Sequence, residues 1–329
     1  MKTAIIVSAY RRYEYVNEAI KSVISQTKKP NEIIIAIDNP KVLKISKTNI
    51  KIKVIEGDYL EHGKVIAECL DEVDKDIDIV MFLEDDDLFR KDKIEKIVKY
   101  FKEFKDIVAI HNLQHIINKE GKKVNSTIYE KEQPNKNLII NLDNLLKIYN
   151  RYPLIWHNLS SFSIKKEILE KYKKHIKKVL FAIDVFVFFS SISEGNLLHL
   201  KEKLTYFRLG GSSSTSSTSN FLTFRNEVTR RICTEVKHLN SFRTFLEIFN
   251  DSRIKKIIKK RILGIEIYLY LFGEFLKECN VDFPSSYSSL LREFIENAFD
   301  KILIFLNFLN IYHHYFYQKF WEEKLEKFI

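Results

Sequence analysis

The amino-acid sequence predicts an α/β fold, a mainly parallel sheet with helices on both faces, followed by an all-helical C-terminal region. Three observations predict it. Short apolar runs alternate with stretches of one-face helical spacing between residues 3 and 104, and that alternation demands right-handed crossovers and parallel strands. Polar and acidic residues collect at the C-terminal ends of these runs, the edge at which open α/β sheets bind ligands. After the run Ser212–Asn220, SSSTSSTSN, which has no apolar side chain, only helical spacing is left.

The elements follow in order. Thr3–Ala9 is the first buried strand. Tyr13–Gln26 places Val16, Ala19, Ile20, Val23 and Ile24 on one helical face. Pro30 precedes a second buried strand, Glu32–Ile37, which ends at Asp38. Lys51–Ile55 is the third strand, and His62–Val73 is a helix whose apolar face holds Val65, Ile66, Cys69 and Leu70. The stretch Ile79–Phe89, IVMFLEDDDLF, joins a strand apolar on both faces to Glu84, Asp85, Asp86 and Asp87. Four adjacent like charges repel, so such a cluster suits a cation or a basic partner. Hard carboxylate oxygens favour Mg2+ or Mn2+, which can in turn hold a diphosphate. The competing reading is a solvated acidic loop leading into helix Ile94–Phe104.

Beyond residue 106 the alternation loosens. Ile107–Gln114 reads as a strand, Asn118–Lys122 as a turn around Gly121, Ser160–Ile164 as a short strand and Lys165–Lys177 as a basic helix. His111 and His115, four apart on a strand, do not share a metal site and read as structural. Leu180–Ile192 is a helix with one acid, Asp184, and Leu198–Leu209 alternates like an edge strand. The helical stretches after residue 220 are Phe221–Leu239, Phe242–Asn250, Arg253–Glu278 and Tyr287–Tyr317. The division expected is therefore 1–214 and 215–329.

Composition sets bounds. A chain of 329 residues with 30% charged and 45% hydrophobic side chains is globular. The net charge of +10 suits an anionic partner, and it is not gathered into a nucleic-acid signature. Cys69, Cys233 and Cys279 lack metal-ligand spacing, which fits a reducing compartment. No stretch reaches the roughly 18 uncharged apolar residues of a membrane-spanning helix. A cytoplasmic location follows as the expectation.

Four stretches carry a family resemblance. IIVSAYRRYEYVNEAIKSVISQTKKPNEIIIAID, GKVIAECLDEV, IVMFLEDDDLFRKDKIEKI and FAIDVFVFFSSISEGNLLHLKEKLTYFRLGG resemble, in register, family 2 glycosyltransferases of the GT-A fold across residues 2–214. That resemblance implies an inverting, metal-dependent transferase using Mn2+ or Mg2+. Its donor is a nucleoside-diphosphate sugar, UDP-sugar favoured, and its acceptor a glycan or lipid-linked sugar. It assigns Ser8, Tyr10 and Asp38 to the nucleoside, Lys64 to the diphosphate, and Asp85 to the donor. Asp86 and Asp87 fall to the metal, with Asp86 first, and Asp184 to the general base. For each residue a plainer reading stands beside it: a core-edge ring for Tyr10, a turn residue for Asp38, a surface cation for Lys64, a helix cap for Asp184.

The chain departs from the family pattern at Glu68, Ile183 and Gly210, so the alternative is a degenerate GT-A module that binds nucleotide sugar or glycan without transfer. A sugar nucleotidyltransferase wants a glycine-rich first turn, which SAYRRYEY is not, and an aspartyl-phosphate phosphatase wants its acids on the first strand. The C-terminal stretch RIKKIIKKRILGIEIYLYLFGEFL, with Lys255, Lys256, Lys259 and Lys260 interleaved with isoleucines, suits either a packed core or peripheral contact with an anionic membrane.

Overall fold

The computed structural model describes residues 1–57, 61–125, 133–209 and 221–271. Its centre is a nine-stranded mixed sheet in the order β3-β2-β1-β4-β8-β6-β9-β5, with β7 also paired to β9. The strands are β1 Thr3–Ala9, β2 Glu32–Ile37, β3 Lys51–Glu56, β4 Ile79–Glu84, β5 Leu88–Phe89, β6 Ile107–Ile117, β7 Leu138–Ile140, β8 Phe162–Lys165 and β9 Asn196–Arg208. The first four pair in parallel. β8 then enters antiparallel between β4 and β6, and β6 pairs in parallel with β9.

The helices are α1 Val16–Ile24, α2 His62–Glu72, α3 Lys93–Glu103, α4 Leu145–Arg151, α5 Lys166–Ile176, α6 Ile183–Glu194, α7 Phe221–Ile248 and α8 Ser252–Leu271. Strand period two divides the apolar runs between the two faces of the sheet. Ile5, Val7, Ile33, Ile35, Met81 and Leu83 pack in one cluster with Val16, Ile20 and Val23 of α1 and Ile94, Ile97 and Phe101 of α3. Alternate residues such as Ile6, Ile34 and Phe82, also buried, face the side covered by α2 with Val65, Ile66 and Leu70. Burying each such side chain contributes about 1.5–3 kcal/mol, so the two faces fix the register of β1, β2 and β4.

Register then sets the site. Ser8 lies opposite Glu84, and Ala9 lies opposite Ile37. The ends of β1, β2 and β4 therefore share one edge.

Two expectations need correction. Leu198–Leu209 is not an edge strand: β9 is covered on its far side by β7 and β5, elements of three and two residues that leave no sequence pattern. The stretches 221–239 and 242–250 are not two helices but the single helix α7, because Asn240 and Ser241 carry no glycine or proline to stop it, and Ser241 is buried. Ser212–Asn220 and Tyr287–Tyr317 lie outside the described residues.

Backbone contacts divide the chain into two compact units. The first comprises Met1–Ser217 with Thr244–Lys255, the second Thr218–Arg243 with Lys256–Ile329. In the first unit the Phe186 ring of α6 packs, tilted, against Phe245 and Phe249. In the second, Arg243 pairs with the buried Glu266 at 2.8 Å. His111 is buried against His199, ring nitrogens 3.0 Å apart, and His115 stacks on Tyr206, so both histidines sit in packing environments. Cys69 is a buried free thiol. Among the described residues no helix is long and apolar enough to cross a membrane.

Candidate active site

The turn after β1 is built by four residues in a row. Arg11 takes a left-handed φ of 54°, a conformation that costs a non-glycine residue roughly 1–2 kcal/mol. Its contacts offset that cost. The Arg11 guanidinium lies 4.7 Å from the centre of the Tyr10 ring, and its amide donates to Oδ1 of Asp38 at 3.3 Å. The Tyr13 hydroxyl donates to the other oxygen of Asp38 at 2.7 Å. Arg12, between them, reaches the acidic turn.

That turn closes when the Asp87 amide donates to the Glu84 carbonyl. Arg12 then spans two of its acids: Nη2 donates to Oδ1 of Asp85 at 2.6 Å and Nη1 to Oδ2 of Asp86 at 3.1 Å. Asp87 turns inward instead and is fully buried. Its carboxylate accepts from Nδ2 of Asn158 at 2.8 Å and from the Arg208 amide at 3.1 Å. The Arg208 side chain is itself buried over the Tyr15 ring and is bonded all round. Nε donates to the Asp86 carbonyl, Nη1 to the Lys119 carbonyl, and Nη2 to Glu18 at 2.7 Å.

Electrostatics follow from this crowding. Burial, then Asp87, Asp86, Asp184 and Asp85, pushes the Glu84 carboxyl well above its ordinary value. Burial pushes Asp85 up to about 7 against the pull of Arg12. Asp87 is likewise pushed up to about 7, by burial first and Asp86 next, against hydrogen bonds from Ser160, Arg208 and Asn158. Beneath the turn, Lys93 is fully buried, its amine donating to the Ser160 carbonyl and to the Thr205 hydroxyl, and burial holds its pKa well below normal.

Asp184 sits in the first turn of α6, where its Oδ1 accepts from the Val185 amide at 2.8 Å. Ala182, just before, is left-handed at φ 57°. The link into α6 is gripped by α2. The Gly63 amide donates to the Val179 carbonyl at 3.0 Å, and His62 stacks on Phe181. A Cβ at Gly63 would lie 2.0 Å from the Ile176 carbonyl oxygen. The glycine of the Gly-Lys piece is thus a packing residue. Lys64, next to it, is exposed, and no hydrogen bond or ion pair ties it to the acidic turn.

The structure therefore gathers Ser8, the acidic turn and Asp38 on one sheet edge, brings Asp184 into electrostatic reach of Glu84, and leaves Lys64 outside. Asp85 and Asp86 present carboxylate oxygens to one cation, the guanidinium of Arg12, which is the donor set a hard divalent ion takes with phosphate and water. Among the described residues no three His, Cys, Asp or Glu side chains form a ready-made metal centre. Arg12, Asn158 and Arg208 escaped the sequence reading as site residues. Of the three, Arg12 and Arg208 lie in the first and last of the stretches that carry the family resemblance, and Asn158 lies in none of them.

Known proteins of similar sequence and fold include the following. An uncharacterised glycosyltransferase of Rickettsia conorii is 34% identical over 130 residues, covering 38% of this chain and 21% of its own length. One from Haemophilus influenzae is 26% identical over 302 residues, covering 82% of this chain and 86% of its own. Two solved structures align at low similarity. Staphylococcus aureus TarS 1-349 in complex with UDP-GlcNAc has a TM-score of 0.48 at 14% identity, covering 84% of this chain and 81% of that one. The mannosyltransferase PcManGT from Pyrobaculum calidifontis, in complex with GDP-Man and Mn2+, has a TM-score of 0.47 at 10% identity, covering 89% and 79%. The chain spans about a fifth of the Rickettsia protein and about half of the TarS chain in another of its crystal structures. The model of glycosyl transferase family 2 matches residues 4–173, more than half of the sequence, and the chain belongs to that family.

Proposed function

We propose that this chain is an inverting glycosyltransferase that moves a sugar from a nucleoside-diphosphate sugar to an acceptor hydroxyl. The observation that supports the reading is the strand register that brings Ser8, Asp38 and the Glu84–Asp87 turn to one edge of the sheet. Asp184 acts as the general base. Its carboxylate takes the proton of the acceptor hydroxyl while that oxygen bonds to the anomeric carbon. The bond from that carbon to the diphosphate oxygen breaks in the same displacement, its electron pair leaving with the diphosphate, and configuration inverts.

Ser8, Tyr10 and Asp38 are assigned to the nucleoside, the Tyr10 ring by stacking and Asp38 by accepting from base or ribose. Asp38 already accepts from Tyr13 and Arg11, so its remaining lone pairs serve the donor. The metal role expected of Asp87 is not kept, because its carboxylate turns inward to Asn158 and the Arg208 amide. Asp86 would hold Mn2+ or Mg2+ with Asp85, expected at the donor, beside it in place of Asp87. A divalent ion there would supply positive charge against the leaving diphosphate. Lys64 is assigned no role. UDP-sugar is the favoured donor and a glycan or lipid-linked sugar the acceptor.

Of the helical region expected from residue 215, Thr218–Arg243 with Lys256–Ile329 are proposed as the separate domain, because Thr244–Lys255 group with the first unit. On α8, Ile254, Ile257 and Ile258 are buried while Lys256, Lys259 and Lys260 are exposed. That basic face supports peripheral contact with an anionic membrane from the cytoplasmic side.

One observation favours a second reading. Arg12 occupies the acid pair, as suits a module that binds nucleotide sugar without transfer. Thermal-shift screening of UDP-, GDP- and dTDP-sugars with and without Mn2+, followed by assay of nucleotide release with candidate acceptors, separates the two. Stabilisation together with acceptor-dependent release supports the transferase, stabilisation alone the binding module, and neither response defeats both.

A further inference from the structure

Arg12 has no part in the reaction as assigned, yet it holds the two carboxylates given above to a divalent ion. Its two Nη groups go to different acids, so the guanidinium bridges Asp85 and Asp86 instead of pairing with one. The acid side chains are 6% and 9% exposed, and Arg12 is 42% exposed. It therefore reaches in from the open side of the turn, along the direction from which an ion arrives. Arg11 forces this approach: its left-handed backbone, held by Asp38 and by the Tyr10 ring, turns the next residue toward the acids.

The charge balance explains why the contact forms. Glu84, Asp85, Asp86 and Asp87 lie together. The two fully buried cations by the turn are committed elsewhere, Lys93 to Ser160 and Thr205, and Arg208 to Glu18 and backbone carbonyls. Two nearly buried acids need a permanent counter-charge, and a guanidinium supplies one that cannot be deprotonated. A divalent ion on Asp86 and Asp85 calls on the same oxygens and is repelled by the same charge.

We infer that Arg12 is the resident cation of the acidic turn. It holds Asp85 and Asp86 in place while no divalent ion is bound, leaves them when the ion enters, and is then released at the edge where the donor's diphosphate is anchored. Ion and donor are thereby coupled. A diphosphate gives the displaced guanidinium a new bidentate partner, so each ligand raises the affinity for the other.

The inference rests on the assignment of Asp85 and Asp86 to the metal, and the test separates the two. Free Mn2+ is titrated by electron paramagnetic resonance against the full chain, as wild type, Arg12→Gln, Arg12→Lys and Asp86→Asn, with and without UDP. Without UDP, Arg12→Gln is expected to bind Mn2+ about tenfold more tightly than wild type, the order by which one adjacent charge shifts an ionic equilibrium. UDP should tighten Mn2+ binding in wild type and do so less in Arg12→Gln. Arg12→Lys keeps the charge but cannot fork across both acids, and is expected to fall between the two. Mn2+ affinity equal to or weaker than wild type in a folded Arg12→Gln overturns the inference while leaving the metal assignment intact. So does an Arg12→Lys protein indistinguishable from wild type. If neither wild type nor Arg12→Gln binds Mn2+, the metal assignment falls and the inference with it, whereas donor turnover in the same samples still reports on the transferase reading.

Discussion

The backbone amide of Arg208 donates to the carboxylate of Asp87 at 3.1 Å, and the Arg208 side chain donates to the carbonyl of Asp86 at 2.9 Å. The last residue of β9 thus clamps the acidic turn after β4 at two points. It does so from a fully buried position, with Tyr15, Glu18 and the turn at residues 118–119 closing around it.

Arg208→Met should therefore lower unfolding free energy by about 2 kcal/mol, since carbonyls of residues 86 and 119 lose their donor while half-exposed Glu18 is left to water. Urea denaturation measures this. Donor affinity should fall as well, and a variant with wild-type stability and affinity would remove Arg208 from the site's framework.

Asp86→Asn should keep the fold and lose metal-dependent nucleotide binding, measured by calorimetry with and without Mn2+. Undiminished metal-dependent binding in a folded variant would sink the assignment.

Asp184→Asn should bind donor as wild type does and lose transfer by roughly 10^2-fold or more. Near-normal turnover would reduce Asp184 to its hydrogen bond with the Val185 amide.

Asp87 gives a pH signature. Its carboxyl rises from 3.8 to about 7 on folding, so the folded metal-free chain holds the proton more tightly than the unfolded one. That stabilisation is complete below the unfolded value and lost as pH rises through the folded value. Asp87→Asn does not titrate. Its melting temperature should therefore gain on wild type as pH rises from about 5 to about 8. His157 and His199, pushed down to about 4 by burial, act in the opposite sense but equally in both proteins, so they cancel in the difference. A pH-independent difference would show that Asp87 is ionised in both states.

The exposed lysines of α8 make a fifth case. Wild type should sediment with anionic vesicles at low salt, and replacing Lys256, Lys259 and Lys260 with Gln should weaken that binding. Wild type that stays in the supernatant leaves α8 as a packed helix only.

What the sequence disclosed follows from range. Period and burial are local properties, so β1, β2, β4 and α1 to α3 could be read from Ile, Val and Leu spacing. The shared edge of Ser8, Asp38 and Glu84 followed from strand order. The contacts that shape the site are long-range. Arg12 meets Asp85, Asn158 meets Asp87, and Arg208 meets Asp86 only after the sheet is assembled. An arginine in a basic turn and an asparagine with a left-handed φ of 76° look like surface residues until then. β5 and β7 were invisible for a different reason, since two or three residues contain no period.

Gly63 carries a lesson for engineering. Because α2 touches the carbonyls of Ile176 and Val179 with no room for a methyl group, residues 176–184 are not a portable cassette. A chimera that imports another protein's segment there without its matching α2 would misseat the donated helix start, and with it the residue at the place of Asp184. The exchangeable unit is the pair of segments, discontinuous in the chain, that meet at that glycine.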